Sequence, residues 1–246
     1  MIEQVEGIII NEKSYGETSK IINVLTSDRG VIGIMAKGAK TMKSELRSVT
    51  DKLTYGVFNI YYKKDKLSTL ISVDIIDNLK NIKKDIAKIS YVSFLLELTE
   101  QVIKQNNSDD IYTMLINGIL KINEGFDPLV ITNIIELKYL DKLGVMPIID
   151  CCSVCGNTSS IVTLSSIRGG YVCKNCLKGD TIVNEKTIKL VRMFYYVDIA
   201  KISKLEISDV AKLEINRFLD EYYDSYTGLY LKSKQFLNNL AKISVD

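Results

Sequence analysis

The residues of this chain best suited to chemistry lie between positions 151 and 176, where all five cysteines are found. Cys152-x-x-Cys155 and Cys173-x-x-Cys176 are two thiol pairs at the spacing that lets each pair chelate one tetrahedral ion, which is the pattern of a four-thiolate zinc site. Two intervening residues let the backbone turn tightly enough for both sulfurs of a pair to face one metal, and Gly156 supplies conformational freedom just after the second ligand. Gly169-Gly170 reads as a hairpin turn leading into the short strand Tyr171-Val172, so the second pair repeats the device. The chain has no histidine. A closed set of four thiolates also leaves no position for an activated water, so the expected ion is structural. Pairing Cys151 with Cys155 would put three residues between ligands, a less usual spacing, which assigns Cys152 as the ligand and Cys151 as a bystander. Buried apolar thiols and disulfides are the competing readings. The opening Met-Ile-Glu-Gln shows no basic and apolar leader, which argues against export and hence against disulfides.

A second set of residues suits a polyanion. Lys37, Lys40, Lys43 and Arg47 fall close together with only Glu45 as a negative charge among them, and Lys63, Lys64 and Lys66 form another cluster. A charge run is most often a solvated face. These two clusters flank predicted strands of a small barrel, however, and lysines there attract phosphates without regard to sequence and with strong salt dependence. Tyr15, Tyr55, Tyr61 and Tyr62 are candidates for stacking on bases, although tyrosine in strands more often serves the core. Gly33 to Thr41 imitates a phosphate-binding P-loop, but Ala39 separates the second glycine from Lys40 and no βαβ context surrounds it, so no nucleotide is expected. No nucleophile stands near a candidate base. The chain reads as a binding protein rather than an enzyme.

The elements that must position these residues follow from periodicity. At 246 residues, with 46% apolar and 25% charged residues, the chain has room for one large or two modest globular domains. No apolar run approaches the roughly 20 residues needed to cross a bilayer, so no membrane partner is expected. The net charge of +2 excludes any argument for nucleic acid from charge alone. Residues 1–79 read as β: Val5 to Ile10, Thr18 to Thr26 and Val31 to Ala36, with Asn11 to Gly16 as a loop and Ser27 to Gly30 as a turn. Leu53 to Tyr62 and Leu67 to Ile76 then form a hairpin. In the last strand Leu67, Thr69, Ile71, Val73 and Ile75 alternate with polar residues as a half-buried strand would. Five short antiparallel strands point to an OB-fold barrel, with an SH3-like barrel fitting the periodicity almost as well.

From residue 80 to 246 the pattern is helical. One long helix is expected from Asn81 to beyond Val102 as the buried axis of a bundle, followed by Asp109 to Ile122 and by Pro128 to Leu143 with Gly144 past its end. Glu185 to Ile199, a helix capped by Ser208 and a last one from Ser233 to Ala241 complete the count. The fold class is therefore α+β: an amino-terminal OB-fold barrel, then a helical domain with the four-cysteine zinc finger inserted at about 149–179.

Taken in order, these residues carry a resemblance. Tyr15-Gly16-Glu17-Thr18, Leu25-Thr26, Gly30 and Ala36-Lys37-Gly38-Ala39-Lys40 with Lys43-Ser44 resemble the amino-terminal signature of the RecO family of bacterial recombination mediators. Leu143-Gly144 with Pro147, the two Cys-x-x-Cys pairs, Gly169-Gly170 and the Ser233 to Leu237 segment are similar to the middle and the carboxy-terminal part of that family. The resemblance implies a cytoplasmic, nucleoid-associated DNA repair protein that binds single- and double-stranded DNA and anneals complementary strands. It also implies engagement of the single-strand-binding protein SSB and, with RecR, help in loading RecA. Lys37, Lys40 and Lys43 would then be DNA contacts and the four cysteines zinc ligands. Lysine stands where arginine is common at Lys40 and Lys234, which removes bidentate phosphate contacts. Two other classes fit the same features: a zinc-ribbon RNA-binding or transcription-associated protein, and a scaffold that binds no nucleic acid.

Overall fold

A computed structural model describes residues 1–106, 108, 110–234, 236 and 237. Five strands, β1 (Ile2–Tyr15), β2 (Ser19–Thr26), β3 (Gly30–Ala36), β4 (Tyr55–Tyr61) and β5 (Ser68–Asp77), close into a barrel in the order β1-β2-β3-β5-β4. All pairings are antiparallel except β3 with β5, which run parallel through Ile34↔Ser68 and Met35↔Thr69. This is the five-stranded closure of an OB-like barrel. Its interior is apolar: Val5, Ile9, Ile22, Val24, Ile34, Phe58 and Ile60 are buried together. In β2 and β3 the buried residues alternate with Ile21, Asn23, Val31, Gly33 and Met35, which therefore lie on the outer face.

Two sequence expectations change here. Asn11 to Tyr15, read as loop, continue β1 and pair with β2 from Asn11↔Asn23 to Tyr15↔Ser19 after a bulge at Ile10. Hydrogen bonding to a neighbouring strand, rather than burial, holds this polar stretch extended. The alternation expected in β5 also fails. Register passes from Asn59↔Ser72 to Ile60↔Leu70, so Ile71 bulges, and Ile76 does the same between Gly56↔Ile75 and Tyr55↔Asp77. Each bulge moves the side chains beyond it to the opposite face. The buried residues of β5 are Ser68 and Leu70, whereas Leu67, Ile71 and Ile75 are exposed.

The helical elements are α1 (Lys80–Lys83), α2 (Ile86–Gln105), α3 (Asp110–Glu124), α4 (Pro128–Lys142), α5 (Glu185–Tyr196) and α6 (Asp209–Tyr226). The single long helix expected from Asn81 is broken at Lys84-Asp85, and Ile86 is exposed rather than buried. Capping follows the sequence signals. Asp127 accepts from the Leu129 and Val130 N–H groups with Pro128 at the first helical position, and Ser208 accepts from Ala211 N–H. Ala211, Ile215, Phe218 and Tyr222 form the buried stripe of α6. Residues 232–234 and 236–237 are helical. Asp109 and the remainder of the expected carboxy-terminal helix lie outside the described residues.

Two compact units result. One comprises residues 1–86 and 96–116, the barrel with parts of α2 and α3; the other comprises residues 87–95 and 117–246. The second unit contains a two-stranded hairpin of β6 (Ile161–Ser165) and β7 (Gly170–Cys173).

Candidate metal centre and nucleic-acid interface

The β6–β7 hairpin and the loop that precedes it bring Cys152, Cys155, Cys173 and Cys176 together. Their sulfurs all lie within 4.8 Å of one another. Cys151, though adjacent in sequence, is outside the cluster. The first knuckle turns through Gly156 at φ +75° and is closed by Gly156 N–H donating to Cys152 C=O at 2.8 Å. The second follows Gly170, whose φ of +146° and direct approach to the Ile148 backbone leave no room for a side chain. Past Cys176, Arg168 donates to the Cys176 carbonyl at 2.9 Å and pairs with Asp180 at 3.3 Å, which ties the second knuckle to the strand turn.

The donor set fits a cation. Four thiolates at a zinc–sulfur bond length of about 2.3 Å form a tetrahedron with edges of roughly 3.8 Å, and Cys155 Sγ stands 3.7 Å from Cys173 Sγ. Burial opposes ionisation of Cys152, but backbone N–H groups of Cys173, Cys155 and Val154 outweigh it and bring its thiol down to about 6. Cys176 is pushed the other way, up to about 12, first by hydrogen bonding to Cys155 and then by burial. A bound cation favours the thiolate form of such ligands. These four cysteines could hold a metal ion in a site with two buried sulfurs, Cys152 and Cys173.

On the barrel, Lys37, Lys40, Lys43, Arg47, Lys63, Lys64 and Lys66 are all exposed. Among the described residues none of the seven is in an ion pair. Lys37 and Lys40 flank Ala39, which is fully buried in the barrel core, and Lys40 N–H donates to Thr18 C=O at 2.8 Å. The basic segment is thus fastened at its apolar centre with its cations directed outward. Residues 33–41 run from strand into turn, with no helix to complete a phosphate-binding loop.

The structure separates the two basic clusters. The segment from Lys37 leaves the carboxy-terminal end of β3, whereas the parallel pairing of β5 sets the Lys63–Lys66 hairpin beside Val31 to Gly33, at the opposite end. A seven-residue strand spans roughly 20 Å, so any single ligand touching both clusters must reach about that far along the barrel.

The tyrosines divide. Tyr15 and Tyr61 are exposed; Tyr55 is buried and donates to Glu6 at 2.9 Å, as does Tyr112 at 2.8 Å. Tyr62 is half-buried beneath the guanidinium of Arg29, 4.5 Å from its ring centre. Arg29 and Lys20 are the cations that sequence reasoning passed over. Lys20 is held between Asp51 at 2.6 Å and Glu12 at 3.1 Å, an arrangement set by tertiary proximity that leaves no local signal.

An OB-like barrel with unpaired surface cations, joined to a helical region bearing a four-thiol knuckle, defines the class by fold and site. Comparison with known proteins makes it specific. Residues 1–79 match the family model for the recombination protein O amino-terminal domain and residues 83–235 the one for its carboxy-terminal domain. The chain belongs to the recombination protein O (RecO) family. It is 35% identical to DNA repair protein RecO of Bacillus cytotoxicus over 100% of both chains. With DNA repair protein RecO of Listeria monocytogenes serotype 4b it shares 34% identity over 98% of this chain and 96% of the relative. The counterpart from Halalkalibacterium halodurans gives 34% over the same shares.

Proposed function

We propose that this protein is a recombination mediator in DNA repair, one that binds single- and double-stranded DNA and anneals complementary strands. In this reading it works on strands coated with SSB and, with RecR, helps load RecA. The observation that carries the reading is the pair of unpaired cation clusters, Lys37 to Arg47 and Lys63 to Lys66, at the two ends of one strand of an OB-like barrel. Cations without internal partners are available to phosphates, and their counterions are released when a strand binds. A surface that neutralises two strands at once lowers their repulsion and raises their effective concentration, so annealing requires neither nucleotide nor catalytic residue.

The four cysteines hold one structural zinc ion in this reading, which locks the β6–β7 hairpin to the preceding loop and leaves no open coordination position for chemistry. The setting is the cytoplasm, with the nucleoid as the place of work. Among the described residues no helix is long and apolar enough to cross a membrane, which is compatible with that setting.

The test is annealing of two complementary oligonucleotides, each coated with SSB, without ATP. Acceleration by the protein, reduced as salt rises, is the expected result. No acceleration by folded, metal-loaded protein would overturn the mediator reading.

A further inference from the structure

The outer end of the β4–β5 hairpin holds a cavity of about 420 Å³ lined by Arg29, Val31, Gly33, Lys63, Lys66 and Leu67, among others. We infer that this cavity takes one unstacked base of a single strand, with Arg29 as the stacking platform and Lys63 and Lys66 on the adjoining phosphates. The inference rests on the nucleic-acid reading above and assigns it a residue and a strand preference.

Arg29 is built to present a flat surface. Its guanidinium is ion-paired with Glu3 at 2.5 Å, donates from Nε to Asp28 at 3.3 Å, and lies over the ring of Tyr62. Two carboxylates already balance its charge, which makes it a poor phosphate ligand but a well-oriented plane, and guanidinium planes stack on bases. Its side chain remains 32% exposed where it lines the cavity. Val31 and Leu67 add apolar walls, both more exposed than strand residues of a closed core. The floor is Gly33: a Cβ there would stand 2.8 Å from Leu67 Cδ2, so glycine lets Leu67 lie flat across β3 and keeps the cleft open. Lys63 and Lys66 line the same opening with Asp65 between them, and neither lysine is in an ion pair among the described residues, so each keeps its charge for a phosphate. A volume of this size lies in the range of about 300–1,000 Å³ common for small-ligand sites.

A base within a duplex is paired and stacked, and entering this cleft would require extruding it. The cleft therefore favours single strands, whereas the rim lysines act on any phosphate backbone. The two contributions separate experimentally. Binding is measured by fluorescence anisotropy with a single-stranded 20-mer and with a blunt hairpin duplex, across a salt series.

Arg29→Lys keeps the charge and removes the plane. It is expected to weaken single-strand binding roughly fivefold to a hundredfold, with duplex affinity and the salt slope unchanged. Gly33→Leu crowds the cleft and pushes Leu67 aside without touching a charge; it is expected to give the same pattern, and unchanged duplex binding in both variants guards against a folding defect. Lys63→Gln with Lys66→Gln should instead weaken both ligands and make the single-strand salt slope shallower by about 1.4. Wild-type single-strand affinity in both Arg29→Lys and Gly33→Leu, or equal loss for single strand and duplex, would overturn the inference. Absence of any DNA binding by the wild-type protein would overturn the nucleic-acid reading itself, a result distinguishable from either.

Discussion

In the barrel unit seven cations, Lys37, Lys40, Lys43, Arg47, Lys63, Lys64 and Lys66, face solvent without a carboxylate partner among the described residues, whereas in the helical unit three cations of the same types, Arg168, Lys212 and Lys234, are bound into the fold. Lys212 sits between Asp127 at 2.8 Å and Asp209 at 2.7 Å, Lys234 pairs with Asp220 at 3.1 Å, and Arg168 pairs with Asp180. Paired charge fixes internal geometry and has little left to offer a ligand, while unpaired charge adds nothing to the fold and is free to release counterions on binding. The contrast supports the proposed binding role of the barrel cations and gives Arg168, Lys212 and Lys234 a structural task. Each substitution below tests one side of it.

The largest expected effect lies at the thiol cluster. Cys152→Ser should abolish metal retention and lower stability by several kcal/mol, of the order of the folding energy a structural zinc supplies, measured by metal content and thermal unfolding. Cys151→Ser should leave both unchanged. Equal loss in the two variants would show that the cluster geometry misassigns the ligand.

Next is the buried carboxyl of Glu136, 2% exposed on α4. Desolvation, and then the charge of Asp220, raise it to about 8, with Lys234 acting in the opposite sense. The folded state thus keeps a proton that the unfolded chain releases near pH 4.5, so stability contributed by this group falls as pH rises between those values and is level above about 8. The swing is on the order of 5 kcal/mol. Glu136→Gln should flatten that decline relative to wild type in denaturant titrations from pH 5 to 9. A parallel decline in the variant would refute the assignment.

Smaller still is Lys20→Met, which removes the barrel's ion-paired lysine. It should lower stability by up to about 1 kcal/mol without altering the salt dependence of DNA binding. A changed salt slope would blur the distinction between paired and unpaired cations.

Much of this organisation was legible in the sequence because it is written in local pattern. Apolar runs gave β2, β3 and β4, Pro128 and Ser208 marked helix starts, and the Cys-x-x-Cys spacing located the knuckles. What escaped depends on partners distant in sequence. Asn11 to Tyr15 are extended because β2 lies alongside them, and polar residues there carry no burial signal. The bulges at Ile71 and Ile76 break the strict alternation read for β5: Ser68 and Leu70 are buried before the first bulge and Val73 packs against the core after it. The separation of the two basic clusters follows from the parallel β3–β5 pairing, which no hairpin signal announces. Arg29 looked like a turn residue because Glu3 and Tyr62 meet it only in the closed barrel.

The claim that barrel cations bind nucleic acid is tested most directly by the slope of log affinity against log salt for a single-stranded oligonucleotide. The comparison is wild type against Lys37→Gln, Lys40→Gln and Lys43→Gln combined. Loss of three phosphate contacts should make the slope shallower by about 2 and weaken binding roughly tenfold to a hundredfold at moderate salt, with the melting temperature unchanged. Identical slopes and affinities in the two proteins would contradict the account.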